Sequence, residues 1–412
     1  MKTYKNTPGD IFGGITAGIV TIPLALGFGA ISGLGAAAGL YTAIILCLVV
    51  SVFGGTRTQI SGPTGPMTVF IAAIVAAYAD NMAIVFAIMA MAGLFQIMFG
   101  FARAGALLKF IPKATIAGFI SGIGVITIIL QLPLLLGFTS PGGILPTIKY
   151  LTAFPEINVH GALLGLLAFI IVMFPPKRLL AILPFSLVAL VAGTIAAVWL
   201  AWDVPTIGYI PTRLINMNLD FSLFGVETFM YIIPIALGLA LLSSIDTLMT
   251  SKAVTQAIHT KNNYNKDLVG IGIANTVSSL FGGFAGSNST VPTMANIKFG
   301  GRARLSALVA AAVLLSVLFF LAPVASLIPL AVLAGILVRV GIGIIDWKLL
   351  GKIITFRTRK RDAVAMLTVL AFTMFGELVT GVVIGSLLYR TLRYARYKML
   401  VKAAPERPDS QY

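Results

Sequence analysis

The sequence predicts an all-α polytopic membrane protein of about fourteen transmembrane segments, arranged as two inverted seven-segment repeats. Three observations carry that expectation. Of 412 residues, 58% are hydrophobic and 10% are charged, with a mean hydropathy of +1.00, a balance that a water-exposed surface does not sustain. Apolar runs of roughly 20 residues, the length that crosses a bilayer, recur along the chain between short polar breaks. Two stretches also occur twice in the same order: PLALGFGAIS at 23–32 parallels PIALGLALLS at 234–243, and SGPTGP at 61–66 parallels SNSTVP at 287–292. If the first and third segments correspond to the eighth and tenth, the repeat holds an odd number of spans, and its second copy inserts upside down.

In chain order, the first run, Asp10 to Ser32, is too long for a signal peptide, lacks a small-residue cleavage site and is followed at once by another span. The third segment is broken. Pro63, Pro66, Gly62 and Gly65 make residues 58–65 extended, with a helix starting near Pro66, where a first-turn proline is favourable. The tenth segment repeats the pattern, extended over 285–290 with a helix starting near Pro292. The first repeat occupies 1–205, the second 206–398, and 399–412 form a short tail.

Arg57, Arg103, Lys113, Lys252, Lys298, Arg302 and the basic run from Lys348 to Arg361 fall on one side of the predicted membrane. So do Lys2, Lys5, Lys109, Lys177, Arg178 and the closing Arg390 to Lys398. Asp80, Glu156, Asp203, Asp220, Glu227 and Glu377 fall on the other side, with Lys149 and Arg213 as basic exceptions. The positive-inside rule then places both termini in the cytoplasm, in the inner membrane of a cell. The net charge of +16 is spread between apolar runs and forms no stripe, so it reads as topology and excludes nucleic acid. Cys47, the single cysteine, excludes a disulfide framework and a thiolate metal site. His160 and His259 lie far apart and read as loop residues. No phosphate-binding glycine loop, metal-ligand spacing or nucleophile elbow occurs, which argues against an enzyme and against a cofactor.

Broken backbone at bilayer depth persists only where protein buries it or water reaches it. Inverted symmetry brings the two breaks together with their helix N-termini facing each other, each with about half a positive charge and free amides, so the cleft between them is expected to hold an anion. Ser61, Thr64, Asn288, Ser289 and Thr290 line that cleft, and Phe28 supplies an apolar wall. Asp246, inside the apolar run from Phe229 to Met249, costs about 2.5–3.5 kcal/mol at the membrane centre and has no basic partner nearby in sequence. It reads as a coupling-cation site, with sodium held by Asp246, Thr250 and carbonyls at Asn288, Ser289 and Thr290. Alternatively Asp246 carries a proton. Arg339 snorkels to the inner face, Asp10 sits at an inner helix start, and the Met-rich AIMAMAGLFQIMFG is packing or lipid-facing surface.

GDIFGGITAGIVTIPLALGFG, SGPTGPMTV, FARAGALLKFIPKATIAGFISGIG, SSIDTLMTS and IPLAVLAGILVRVGIGIID together resemble the sulfate permease (SulP) family of anion transporters, over almost the whole chain. The resemblance implies the fold shared with the uracil permease, with core and gate domains and usually a homodimer. Within the family the chain is most similar to the cyanobacterial type of sodium-dependent bicarbonate transporter. Residues at the matching substrate and sodium positions are Thr64, Asp246, Thr250, Asn288, Ser289 and Thr290. Leu24 stands where many members have glutamine, and Thr290 where many animal members have arginine. The bicarbonate type usually has Gly and Ala where this chain has Asn288 and Ser289. Family members usually carry a STAS domain after the last span, and the few polar residues after Lys398 are too short for one. The expected function is inward symport of a small inorganic anion, bicarbonate first, with sodium, by an elevator-like movement. Proton-coupled sulfate or dicarboxylate uptake, and an uncoupled anion channel or exchanger, are the alternatives.

Overall fold

The computed structural model describes residues 7–106, 112–138, 144–153, 157–176, 184–210, 225–355, 357–374 and 378–402. Lys2, Lys5, Lys109, Glu156, Lys177, Arg178, Arg213, Asp220 and Glu377, and the tail beyond Lys402, lie outside the described residues. Among those described, nearly all regular structure is helical: α1 (Thr7–Ile31), α2 (Ala36–Phe53), α3 (Gly65–Ala77), α4 (Met82–Phe101), α5 (Lys113–Leu135) and α6 (Ile144–Thr152) come first. Then follow α7 (Val159–Met173), α8 (Phe185–Trp199), α9 (Val226–Ile258), α10 (Tyr264–Leu280), α11 (Thr290–Lys298) and α12 (Leu305–Phe320). The chain closes with α13 (Ala322–Ala325), α14 (Leu330–Ile344), α15 (Trp347–Ile354), α16 (Lys360–Met374) and α17 (Leu378–Lys402). Two short strands, β1 (Ser61–Gly62) and β2 (Ser287–Asn288), pair antiparallel.

Among the described residues, five helices, α1, α2, α4, α5 and α9, are long and apolar enough to cross a membrane, and α14 with α15, bent by 59° at the break between them, reach that length and apolarity only together. Their starts follow local chemistry. Asn81 caps α4 through Ile84 N–H (3.4 Å), Asn158 caps α7 through Gly161 N–H (3.0 Å) and Asn263 caps α10 through Lys266 N–H (3.1 Å). Pro23 and Pro234, which occupy the same place in the duplicated stretch, both sit inside long helices, where each removes one backbone donor.

Packing divides the chain into two compact units, one of residues 1–108 and 124–343, the other of 109–123 and 344–412. In the larger unit α1 packs against α2, α11 and α12, while α10 packs against α4 and α2, and α9 against α4. The Met-rich stretch is therefore packing surface on its inner side: Met89, Gly93 and Gln96 are buried, while Leu94 and Met98 are exposed. In the smaller unit α16 and α17 run antiparallel, Gly385 against Val369 and Gly381 against Phe372, and Arg361 lies over the Tyr389 ring at 5.3 Å. The first turns of α5 join them through Gly118 against Met366 and Gly122 against Thr373.

One expectation needs correction. His160 is in the first turn of α7, stacked on Trp202 at 4.8 Å, because Asn158 starts the helix just before it. His259 lies just past the end of α9 with a left-handed φ of 51°, outside the helix as expected. Asp10 does more than face a helix dipole: it is buried and accepts the amides of Arg302 (2.6 Å) and Ala303 (2.8 Å), tying α1 to the turn after α11.

Small residues set the α1–α2 approach. A side chain at Gly39 would press on the Ala25 carbonyl, and one at Gly29 on the Gly35 carbonyl. Gly39→Val is expected to lower stability by about 3 kcal/mol or more, read as a lower thermal midpoint in detergent, whereas Gly351→Ala, inside an exposed helix where a Cβ meets nothing within 4 Å, does not lower the midpoint.

Candidate functional site

The site begins with two stretches of chain that cannot be helical. Pro63 and Gly62 in one, and Gly282, Gly283 and Gly286 in the other, leave peptide groups that no i to i+4 ladder can pair. They find each other instead. Ser61 pairs with Asn288 and Gly62 with Ser287, and Ser289 N–H donates to the Ile60 carbonyl at 2.9 Å. The register is the one a local two-fold axis demands: exchanging Ser61 for Ser287 and Gly62 for Asn288, as the sequence duplication pairs them, turns each cross-strand pair into the other.

One position breaks that symmetry. The counterpart of the Ser289-to-Ile60 bond would run from residue 63 to the Gly286 carbonyl, and residue 63 is proline, with no N–H to give. The Gly286 carbonyl is caught by side chains instead, Ser243 Oγ at 2.7 Å and Asn275 Nδ2 at 3.2 Å. Asn275 also takes the Gly286 N–H on Oδ1 (2.8 Å) and donates to Gln96 Oε1 (2.7 Å), and Gln96 Nε2 donates to Ser243 (2.8 Å). Further side chains hold the rest of the breaks: Cys47 Sγ donates to the Ser61 carbonyl (3.0 Å), the Phe284 N–H donates to Thr42 (2.7 Å), and Thr293 accepts the Ile60 N–H (3.0 Å).

Helices α3 and α11 leave the pair in opposite directions, because each follows its own strand and the strands are antiparallel. Their N-termini therefore face one another across the pair. At 13 and 9 residues they are about 20 and 14 Å long, each short of a bilayer core. The helix after the second break starts at Thr290, two residues ahead of the expected Pro292, which takes the third position of the first turn. Neither N-cap side chain, Thr64 or Ser289, caps its own helix.

The Thr64 hydroxyl turns to α9 instead. Thr64 Oγ1 donates to Asp246 Oδ2 at 2.8 Å, Ser287 Oγ donates to the same oxygen, and Thr64 and Ser287 hydroxyls are 2.7 Å apart. One turn further, Thr250 Oγ1 lies 3.0 Å from the Asn288 carbonyl and 2.7 Å from Thr290 Oγ1. Asn288 accepts the Ser61 hydroxyl at 2.6 Å, and its buried Nδ2 has no partner among the described residues. The structure thus brings Ser61, Thr64, Asp246, Thr250, Asn288 and Thr290 into one cluster of carboxylate, hydroxyl and carbonyl oxygens, while Ser289, between Asn288 and Thr290, is held through its backbone. Thr290 is exposed and Asp246 half-buried, so the cluster is open at one edge. Phe28 is buried in an apolar group with Leu24 and Leu337.

Sequence reasoning missed Ser287, Gln96, Ser243 and Asn275. Ser287 was visible as the partner of Ser61 in the duplicated stretch. Gln96 and Asn275 are uncharged polar residues in apolar helices, a signal that only a mapped partner turns into a role. Asp267 was also missed: buried at the start of α10, it accepts the Gly55 and Thr56 amides (2.9 and 2.8 Å) and the Thr56 hydroxyl (2.7 Å), pinning the turn before the first break.

Residues 8–369 match the model of the sulfate permease family. The chain is 40% identical to the bicarbonate transporter BicA of a Picosynechococcus species, over 96% of this chain and 72% of that protein. It is 31% identical to the putative sulfate transporter YbaR of Bacillus subtilis, over 97% of this chain and 80% of that one. The solved transmembrane domain of a cyanobacterial BicA superposes with a TM-score of 0.84 at 41% identity, covering 92% of this chain and 98% of that domain. These relatives are transporters, not enzymes.

Asn275→Ala strips partners from both polar groups of Gly286 and from Gln96. It is expected to cost about 2–4 kcal/mol in thermal unfolding, whereas Ser316→Ala, an exposed serine whose hydroxyl bonds only the Val313 carbonyl in its own helix, costs less than about 0.5 kcal/mol.

Proposed function

This chain belongs to the sulfate permease family, and we propose that it takes up a small inorganic anion, bicarbonate first, by sodium symport. The observation that carries the proposal is the pairing of two helix N-termini across a break into which one carboxylate, Asp246, is hydrogen-bonded by Thr64 and Ser287. Helix N-termini attract an anion through free amides and the positive end of the dipole. A lone carboxylate beside them repels it unless a cation sits between. The oxygens of Asp246, Thr250 and the Asn288 carbonyl, with Thr290, are hard ligands of the kind that suits sodium. The anion would lie against Thr64, Ser289, Thr290 and the amides of α3 and α11, with Ser61 holding the buried Asn288 carboxamide behind them. The relatives named as bicarbonate transporters support the choice of anion.

The same reading takes the fold as fourteen segments in two inverted repeats, the third and tenth broken, with both termini cytoplasmic and two copies forming a homodimer. The register of the β1–β2 pair and the shortness of α3 and α11 support it. An elevator-like movement fits a site carried on broken helices that travel with the elements packed around them. A second reading has a specific observation behind it: Asn288 and Ser289 put a carboxamide and a hydroxyl beside the anion, which suits a larger oxyanion, and a relative is named as a putative sulfate transporter. In that reading Asp246 carries a proton.

Proteoliposomes decide between them. An inward sodium gradient is expected to drive labelled bicarbonate uptake, and Asp246→Asn to reduce the sodium-driven component by about 10- to 100-fold with the protein still folded. Uptake driven by a pH gradient and indifferent to sodium, with sulfate or fumarate competing, contradicts the first reading and supports the second.

A further inference from the structure

Helix α15, WKLLGKII, is unusual in this chain: none of its residues is buried. At about 3.6 residues per turn, Lys348, Gly351 and Lys352 share one side with Thr355, while Trp347, Leu349, Leu350, Ile353 and Ile354 form the other. Trp347 is 57% and Ile354 74% exposed. Asp346 opens the helix by accepting the Leu349 N–H at 3.0 Å, so its carboxylate is spent on the cap. Directly after the helix come Arg357, Arg359 and Lys360, all exposed, and then Asp362 in the first turn of α16. Lys348 and Lys352 with those three make five exposed cations within one short stretch, and the acids near them are Asp346 and Asp362.

We propose that α15 and the basic segment behind it form a binding site for anionic phospholipid headgroups, the helix lying in the plane of the membrane interface. The apolar edge needs a medium that accepts Trp and Ile, and an interfacial helix buries such an edge among acyl chains while its basic side faces headgroups. The charges decide the lipid class: clustered Lys and Arg at the membrane surface favour anionic over zwitterionic headgroups. A second copy of the chain docking through the same face by a two-fold axis would set these cations against their own images, which the charge opposes. The proposal concerns the smaller packing unit alone and is independent of the transport reading.

The test uses the full chain with Trp199→Phe and Trp202→Phe, which leaves Trp347 as the one tryptophan of three. The protein is reconstituted in phosphatidylcholine bilayers containing a minor fraction of brominated phosphatidylglycerol or, in parallel, brominated phosphatidylcholine. Quenching of Trp347 by the anionic probe is expected to reflect about fivefold or greater local enrichment, to fall toward the zwitterionic level at about 1 M salt, and to lose its preference in the Lys348→Gln, Lys352→Gln, Arg357→Gln, Arg359→Gln variant while phosphatidylcholine quenching stays unchanged. Equal quenching by both probes in the unmodified basic segment would overturn the headgroup site. No quenching by either would also overturn it, showing that protein and not lipid covers the helix.

Discussion

The polar groups buried around β1 and β2 answer one constraint: two stretches of backbone that proline and glycine have released from helix must satisfy their amides and carbonyls away from water. Each group left unpaired in a membrane interior costs several kcal/mol. The two stretches solve the problem by pairing with each other, and what the short ladder cannot reach is taken by side chains brought from α2, α4, α9 and α10. The polar residues buried among apolar helices, Thr42, Gln96, Ser243, Asn275 and Thr293, are placed by this demand. Asp10 and Asp267 extend the same logic to the turns on either side, each collecting two backbone amides.

Near-symmetry makes the pairing possible, and departures from symmetry make the site chemically directional. Pro63 cannot do what Ser289 does, so the second break is anchored through Asn275 and Ser243. The larger departure lies in the helices that flank the breaks. After their shared proline motif, α1 ends at Ile31 while α9 continues to Ile258. That extra length carries Asp246 and Thr250, and nothing equivalent follows in α1. The two threonine hydroxyls that symmetry places alike, Thr64 and Thr290, therefore both reach to α9, one to the carboxylate and one to Thr250. A symmetric pair of positive helix ends thus acquires one negative group on one side, the arrangement a cation and an anion can share.

The breaks were legible in the sequence because proline, glycine and repetition are local signals. Asp246 and Thr250 were legible because a carboxylate in an apolar run is costly and conspicuous. The start of α11 was misplaced by two residues, since Thr290 and Val291 tolerate helix as well as extended backbone and the choice was made by pairing at Asn288. The Gln96–Ser243–Asn275 anchor was not legible at all: its members lie far apart in sequence, and each alone reads as an ordinary polar residue inside a helix. Ser287 was half-visible, matched to Ser61 yet without a reason to face Asp246 until the register of the pair was known. Phe28 was expected as an apolar wall of the cleft, and its neighbours Leu24 and Leu337 came only with the packing.

The central claim is that one cluster holds a cation and an anion together, and thermodynamic linkage tests it without any transport step. Equilibrium binding of labelled sodium to the purified protein should be measured across bicarbonate concentrations, and binding of labelled bicarbonate across sodium concentrations. A shared site predicts that each ion tightens the other by the same factor, about 5- to 150-fold for a coupling of ordinary size. Sodium binding that is blind to bicarbonate, or bicarbonate binding that is blind to sodium, would contradict it.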